Sequence, residues 1–140
     1  MKLTYKNVLE ELKASIPELY KHPDYDEISP DYSGNLPYVV FSYLQMFYKE
    51  SFNNGNIETV KKIADFLEKA SSVKDNDLRS LLMFGFMEVF YGNYDDFDKN
   101  MLDYFGENTK QVLIDTVEHN HKIRMDNREE IYKLFGDKLK

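Results

Sequence analysis

The chain has no cysteine, which removes disulfides, thiolate zinc sites and cysteine nucleophiles together and fits a reducing compartment. No stretch approaches the roughly 18 consecutive apolar residues that would cross a bilayer. Residues 1–12 alternate charge with leucine instead of placing a basic segment before an apolar one, so they do not form a secretory signal. The expected location is the cytoplasm, with no membrane partner. Positive charge is scarce: 18 Lys and Arg against 25 Asp and Glu give a formal net charge of -7. A surface of that sign repels nucleic acid and anionic lipid and attracts basic partners. Also missing are G-x-x-x-x-G-K-[ST], G-x-G-x-x-G and G-x-S-x-G, the loops that cradle phosphates or expose a serine nucleophile. The expectation is a protein that is not an enzyme, with no cofactor and no metal.

What is present is bulk. The 140 residues include 11 Tyr and 10 Phe, each able to bury on the order of 150–250 Å², and a chain of this length suits one domain, residues 1–140. Its apolar spacing is helical. Tyr5, Val8, Leu9, Leu12 and Ile16 lie on one face, with Thr4 as the expected N-cap and Pro17 closing the helix near Ser15. Residues 21–37 hold Pro23, Pro30, Gly34, Asn35 and Pro37 and read as the longest loop, with His22 a lone loop residue. Pro37 suits the first turn of a second helix, because its missing N–H costs nothing there. That helix carries Val39, Val40, Phe41, Tyr43, Leu44, Met46, Phe47, Tyr48 and Phe52, apolar on nearly every side, and should be central.

Asn54 and Gly55 end it, and Asn56 can cap a third helix whose stripe is Val60, Ile63, Phe66, Leu67 and Ala70. A polar connection follows, then a widely apolar helix from Leu78 to Phe90, in which Gly85 suggests a close approach between helices. Phe97, Met101, Tyr104 and Phe105 mark a fifth helix and Val112, Leu113 and Val117 a sixth. Asp126 with Glu129 resembles a capping pair for a last helix bearing Ile131, Leu134, Phe135 and Leu139. The fold class is therefore all-α, six to seven helices packed as antiparallel hairpins. Leu44, Phe47, Gly55, Asn56 and Val60 recur as Leu81, Phe84, Gly92, Asn93 and Phe97. Such recurrence fits a short right-handed array of the HEAT type, although any two helical hairpins share caps and an apolar period.

Glu118, His119 and His121 are the most site-like cluster, since imidazole and carboxylate are ordinary metal ligands. On a helix, however, residues two apart point about 200° apart, which favours a polar helix end over a metal or small-ligand site. Asp95, Asp96 and Asp98 lack the glycine and distal glutamate of a calcium loop and are better placed as first-turn acids. Stripes such as Leu44, Phe47 and Tyr48 read mainly as core. Tyr25, Tyr32 and Tyr38, in or beside the loop, are excepted from that reading. An alternative is an adaptor groove for a peptide lined by Tyr38, Tyr43 and Tyr48. Charge is acidic in the middle of the chain and mildly basic beyond Lys122, a distribution that also serves solubility.

Over residues 36–118 the chain resembles a loosely defined family of small bacterial helical proteins, some encoded beside polymorphic toxins and regarded as immunity proteins. The resemblance is carried by the aromatic helix from Pro37 to Phe52, the segment Val60-Lys61-Lys62-Ile63-Ala64-Asp65-Phe66-Leu67-Glu68, and the Leu81 to Phe90 helix with Glu88. It implies stoichiometric binding of a protein partner, such as a basic toxin domain, without turnover. The acids expected to face that partner are Asp24, Asp26, Glu27, Asp31, Asp95, Asp96 and Asp98.

Overall fold

Pro37, at the first helical position, starts the helix around which the rest is arranged. The computed structural model describes residues 2–25, 36–88, 97–123 and 128–140. In order these form α1 (Val8–Ser15), α2 (Pro17–Tyr20), α3 (Pro37–Asn53), α4 (Ile57–Ser71) and α5 (Asn76–Leu81). A π-helical segment (Leu82–Met87) continues α5, and a 3-10 helix (Lys99–Tyr104), α6 (Glu107–Ile123), α7 (Arg128–Phe135) and a short 3-10 turn (Gly136–Lys138) complete the chain. The fold is all-α. Among the described residues no helix is long and apolar enough to cross a membrane.

The centre of α3 is enclosed as its composition demands: Val40, Phe41, Leu44 and Tyr48 are buried, packed by α4 on one side and the π segment on another. Tyr48 is nearly sealed, with the rings of Phe86 and Phe105 at 6.1 and 5.7 Å. Its hydroxyl donates to the Met101 carbonyl, so a polar atom deep in the core has its partner. Burial, followed by the nearby Tyr104 and Asp103, pushes this phenol far above its ordinary pKa.

The turn between α3 and α4 is a Schellman closure. Gly55 takes φ +76°, Asn56 N–H donates to the Ser51 carbonyl at 2.8 Å and Gly55 N–H to that of Phe52 at 3.2 Å, a left-handed bend that glycine makes without steric cost. Asn56 holds the N-cap position of α4 with no hydrogen bond from its side chain. All five expected stripe residues of α4 are buried. The corresponding second unit diverges: where α4 runs for fifteen residues, its counterpart is the six-residue 3-10 helix Lys99–Tyr104.

Other differences have local causes. The first helix begins at Val8, not Tyr5, because Thr4 and Asn7 pair reciprocally: Thr4 N–H donates to Asn7 Oδ1 at 2.8 Å and Asn7 N–H to Thr4 Oγ1 at 3.3 Å. Tyr5 N–H is drawn to Asp75 Oδ2 at 2.9 Å, while Asp75 Oδ1 caps α5 at Leu78 N–H. Those backbone donors hold the Asp75 carboxyl below its usual range. Leu134, expected in the core, is 43 % exposed, whereas Ile131 and Phe135 are buried. Gly85 does mark a close approach: a Cβ there would lie 3.3 Å from Phe41 Cβ and 3.1 Å from Leu81 Cδ1. Asp126 lies outside the described residues.

The least expected contact ties α4 to α6. Glu68, placed by its sequence on a solvent face, folds over the start of α6 and accepts from Thr109 N–H at 2.9 Å, Thr109 Oγ1 at 2.8 Å and Asn108 Nδ2 at 2.8 Å. A carboxylate there satisfies donors that α6 cannot satisfy itself and sits at the positive end of its dipole. Burial alone would raise the Glu68 carboxyl; the hydrogen bonds from Thr109 and Asn108 outweigh it and hold the group below its usual value. Gly106 makes room, since a Cβ there would fall 2.4 Å from Glu68 Cδ.

Glu68→Ala should cost about 1–2 kcal/mol, as loss of a helix cap does, and Gly106→Ala should cost more in the natural chain than in the Glu68→Ala background, a non-additivity that a double-mutant cycle of chemical denaturation would measure. Because the folded Glu68 pKa is depressed, its contribution is present above the ordinary carboxylate pKa of 4.5 and lost as pH falls through the lower folded value. The stability gap between Glu68 and Glu68→Gln proteins should therefore narrow steadily in denaturation curves taken below pH 4.5.

Candidate functional site

A helix on a protein surface normally turns charged side chains outward. Between Leu36 and Tyr48 there is no charged residue at all, yet one side of this stretch faces solvent. Tyr38, Ser42 and Met46 are exposed at four-residue spacing, Tyr38 by 42 % and Met46 by 47 %, and Leu36 extends the strip beyond the helix start. Val39 and Tyr43 flank it, half-buried. Together Tyr38, Val39, Ser42, Tyr43 and Met46 line an open depression of about 450 Å³. Ser42 has the smallest side chain of the five. Among the described residues no carboxylate, imidazole or ammonium lines the depression.

The two ends of the strip are acidic. Beyond Met46 the same face continues to Glu50, exposed one turn further along. Glu50 receives His22 Nε2 at 3.1 and 3.0 Å on its two oxygens and the Tyr25 hydroxyl at 3.4 Å. His22 Nδ1 accepts Asp24 N–H at 3.1 Å, which leaves the hydrogen on Nε2, directed at Glu50. Asp24 is exposed beside them. At the other end, Tyr38 is pushed above its ordinary pKa by burial first and then by the proximity of Tyr5 and of the exposed Asp77.

His22 lies in a loop as expected but is not alone there, and Tyr25, excepted from the core reading, belongs to the core. The two rings stack with centroids 3.8 Å apart, Tyr25 lies 4.8 Å from Tyr43, and Phe47 meets both edge-on. Tyr25 is therefore buried, and His22 belongs to an aromatic cluster that fastens the end of the α2 connection to α3. Burial and then Glu50 push the Tyr25 phenol up to about 12. Tyr48, offered with Tyr38 and Tyr43 as a groove residue, faces the core instead. The outward face is set by four-residue spacing from Tyr38, and Met46 and Ser42 occupy it.

The remaining sequence candidates separate. Glu118 accepts from Arg128 Nε at 2.7 Å and from the Tyr132 hydroxyl at 2.8 Å, which fastens α7 to α6. His119 lies edge-on to Phe84 at 5.2 Å, and His121 is exposed. Among the described residues no three His, Asp or Glu side chains group as metal ligands. Of the seven acids assigned to a partner surface, Asp24 and Asp98 are described, both exposed, and the Asp98 carboxylate caps its own 3-10 helix at Asn100 N–H, 2.8 Å. Asp26, Glu27, Asp31, Asp95 and Asp96 lie outside the described residues.

Replacing His22 by Ala should remove the stack and the link to Glu50 and cost about 1–2 kcal/mol in thermal or chemical denaturation. Glu50→Gln removes the charge that disfavours the Tyr25 phenolate. Its pKa should then fall from about 12, readable by tyrosine-ring NMR during an alkaline titration.

The model of one protein family, described as a domain of unknown function (DUF7674), matches residues 9–122. No curated protein and no solved structure matches the chain.

Proposed function

The chain belongs to this DUF7674 family, and we propose that it is a non-catalytic protein-binding domain that holds a basic partner on the outer face of α3, in the manner of an immunity protein neutralising a toxin. The observation that carries this reading is the charge-free outward strip Leu36–Tyr38–Ser42–Met46 on a chain of net charge -7. Exposed large apolar side chains gathered on one helix face, rather than scattered singly, mark an interaction site. Tyr and Met are enriched in interface cores, and acidic residues around them suit a rim that meets positive charge.

Turnover is a poorer account of the same face. The depression is open to water and its described polar side chains carry only hydroxyl groups, whereas acid–base or nucleophilic chemistry needs paired titratable groups shielded from solvent. Two carboxylates with several hydrogen-bond partners, Glu68 and Glu118, are engaged in joining helices. The immunity-type role rests on the sequence resemblance. It gives the partner its sign: the overall acidity would steer a basic domain toward the strip, and the apolar contacts would slow its departure.

Tyr38→Asp with Met46→Asp should leave the fold intact, since both positions are exposed and Asp at the start of α3 suits the helix dipole. Against a basic partner isolated from the native host, calorimetry should show affinity falling by about 30-fold or more, as expected for lost anchor residues. Equal affinity for the natural and double-variant proteins would remove α3 from the interface. Neutralising Asp24 and Asp98 together with Asp26, Glu27, Asp31, Asp95 and Asp96 should slow association and flatten its salt dependence in stopped-flow traces.

A further inference from the structure

The depression on α3 has a shape as well as a polarity. Val39, Ser42, Tyr43 and Met46 stand at the first, fourth, fifth and eighth positions of a helical stretch, the diamond of four side chains that forms a hole for a knob when two helices pack together. Ser42 keeps the hole open: it is short, exposed and set between two longer exposed neighbours, Tyr38 and Met46. Inside the molecule, α3 meets α4 and the π segment along its other sides; of the diamond, Ser42 and Met46 face solvent, while Val39 and Tyr43 are half-buried, Tyr43 against Tyr25.

We infer that the occupant of this hole is an amphipathic helix of the partner, which inserts one large apolar side chain over Ser42 and carries Lys or Arg toward Glu50 and Asp24 at one end and Asp77 at the other. The inference rests on the protein-binding reading above and specifies its mode. A flat apolar surface could receive an extended strand or a loop equally well; a helical diamond with one short side chain, Ser42, among its four favours a helix, because ridges of one helix fit the grooves of another. Charge complementarity supplies the rest. The strip itself is uncharged, the exposed acids stand at its ends, and no basic side chain lines it.

The Glu50 end sets the registry. Glu50 lies about one helical turn, or 5.4 Å, beyond Met46, so a basic residue one turn from the apolar knob reaches it when the two axes run nearly parallel or antiparallel. His22 donates to Glu50 from Nε2 while its other nitrogen is occupied by Asp24 N–H. Among the described residues no Lys or Arg side chain pairs with Glu50, and nearly half of its side chain remains open to solvent.

The test uses the full chain and three synthetic peptides of about 18 residues, long enough to hold helix in water. The first is an Ala-based helix with Leu on one face and Arg at both ends of that face; the second has the same composition with a central Pro; the third carries Glu for Arg. Fluorescence anisotropy should show the first binding and the other two weakened about tenfold or more. Ser42→Trp, which fills the hole at an exposed position, should weaken the first peptide about tenfold or more, with helicity of the protein checked by circular dichroism. Equal binding of the helical and Pro-broken peptides would overturn the helical mode while leaving protein binding at α3 standing. Binding of none of the peptides at about 1 mM would overturn the helical occupant, while calorimetry with the basic partner decides protein binding at α3 separately. Undiminished binding to Ser42→Trp would displace the knob from this hole.

Discussion

A helix with no charged residue in its first three turns has to be covered, and most of the architecture is the covering of α3. Burial of Phe41, Leu44 and Tyr48 removes apolar surface that would otherwise cost about 1.5–3 kcal/mol for each side chain left in water. The elements that accomplish it come from distant parts of the chain: α4 from the next hairpin, the π segment, and the Met101 and Phe105 region that closes over Tyr48. Cover is complete on the sides these elements reach. On the remaining side Tyr38, Ser42 and Met46 stay outside, and the candidate site is this uncovered remainder.

The π segment belongs to the same constraint. Leu82–Met87 lies between α3 and α6 and contacts both. Gly85 brings its backbone against Phe41, in the second turn of α3. A wider helical turn presents Leu82, Phe86 and Met87 to the interior while leaving Phe84 beside His119. π turns are uncommon and concentrate where packing or function demands an altered side-chain register, and here that register serves two helices at once.

Helix positions and the identity of the core helix were legible because apolar period and punctuation agree. Pro17, Pro37 and Gly55 stand where helices break or begin, and the Val60, Ile63, Phe66, Leu67 and Ala70 stripe is buried throughout. The contacts that escaped reading join residues far apart in sequence. Glu68 looks like any solvent-facing glutamate until α6 is brought beside it, and His22 looks isolated until Glu50 and Tyr25 surround it. Local pattern also overstated the 3-10 helix at Lys99–Tyr104, whose apolar residues have helical spacing but too short a run for a companion to α4. For the site, Tyr38 and Tyr43 could be named from the sequence. Tyr48 could not be excluded from the groove with certainty, since which tyrosine faces outward depends on the helix's rotation against its neighbours.

The clamp between Glu68 and α6 also bears on the order of assembly. Its acceptor precedes its donors by about forty positions in the chain, and synthesis runs from the amino terminus, so α4 leaves the ribosome before the segment it caps. The acceptor carboxylate is thus already present in the chain when the start of α6 emerges. A carboxy-terminal fragment made alone would have to begin that helix with its first amides open to water, where short helices fray.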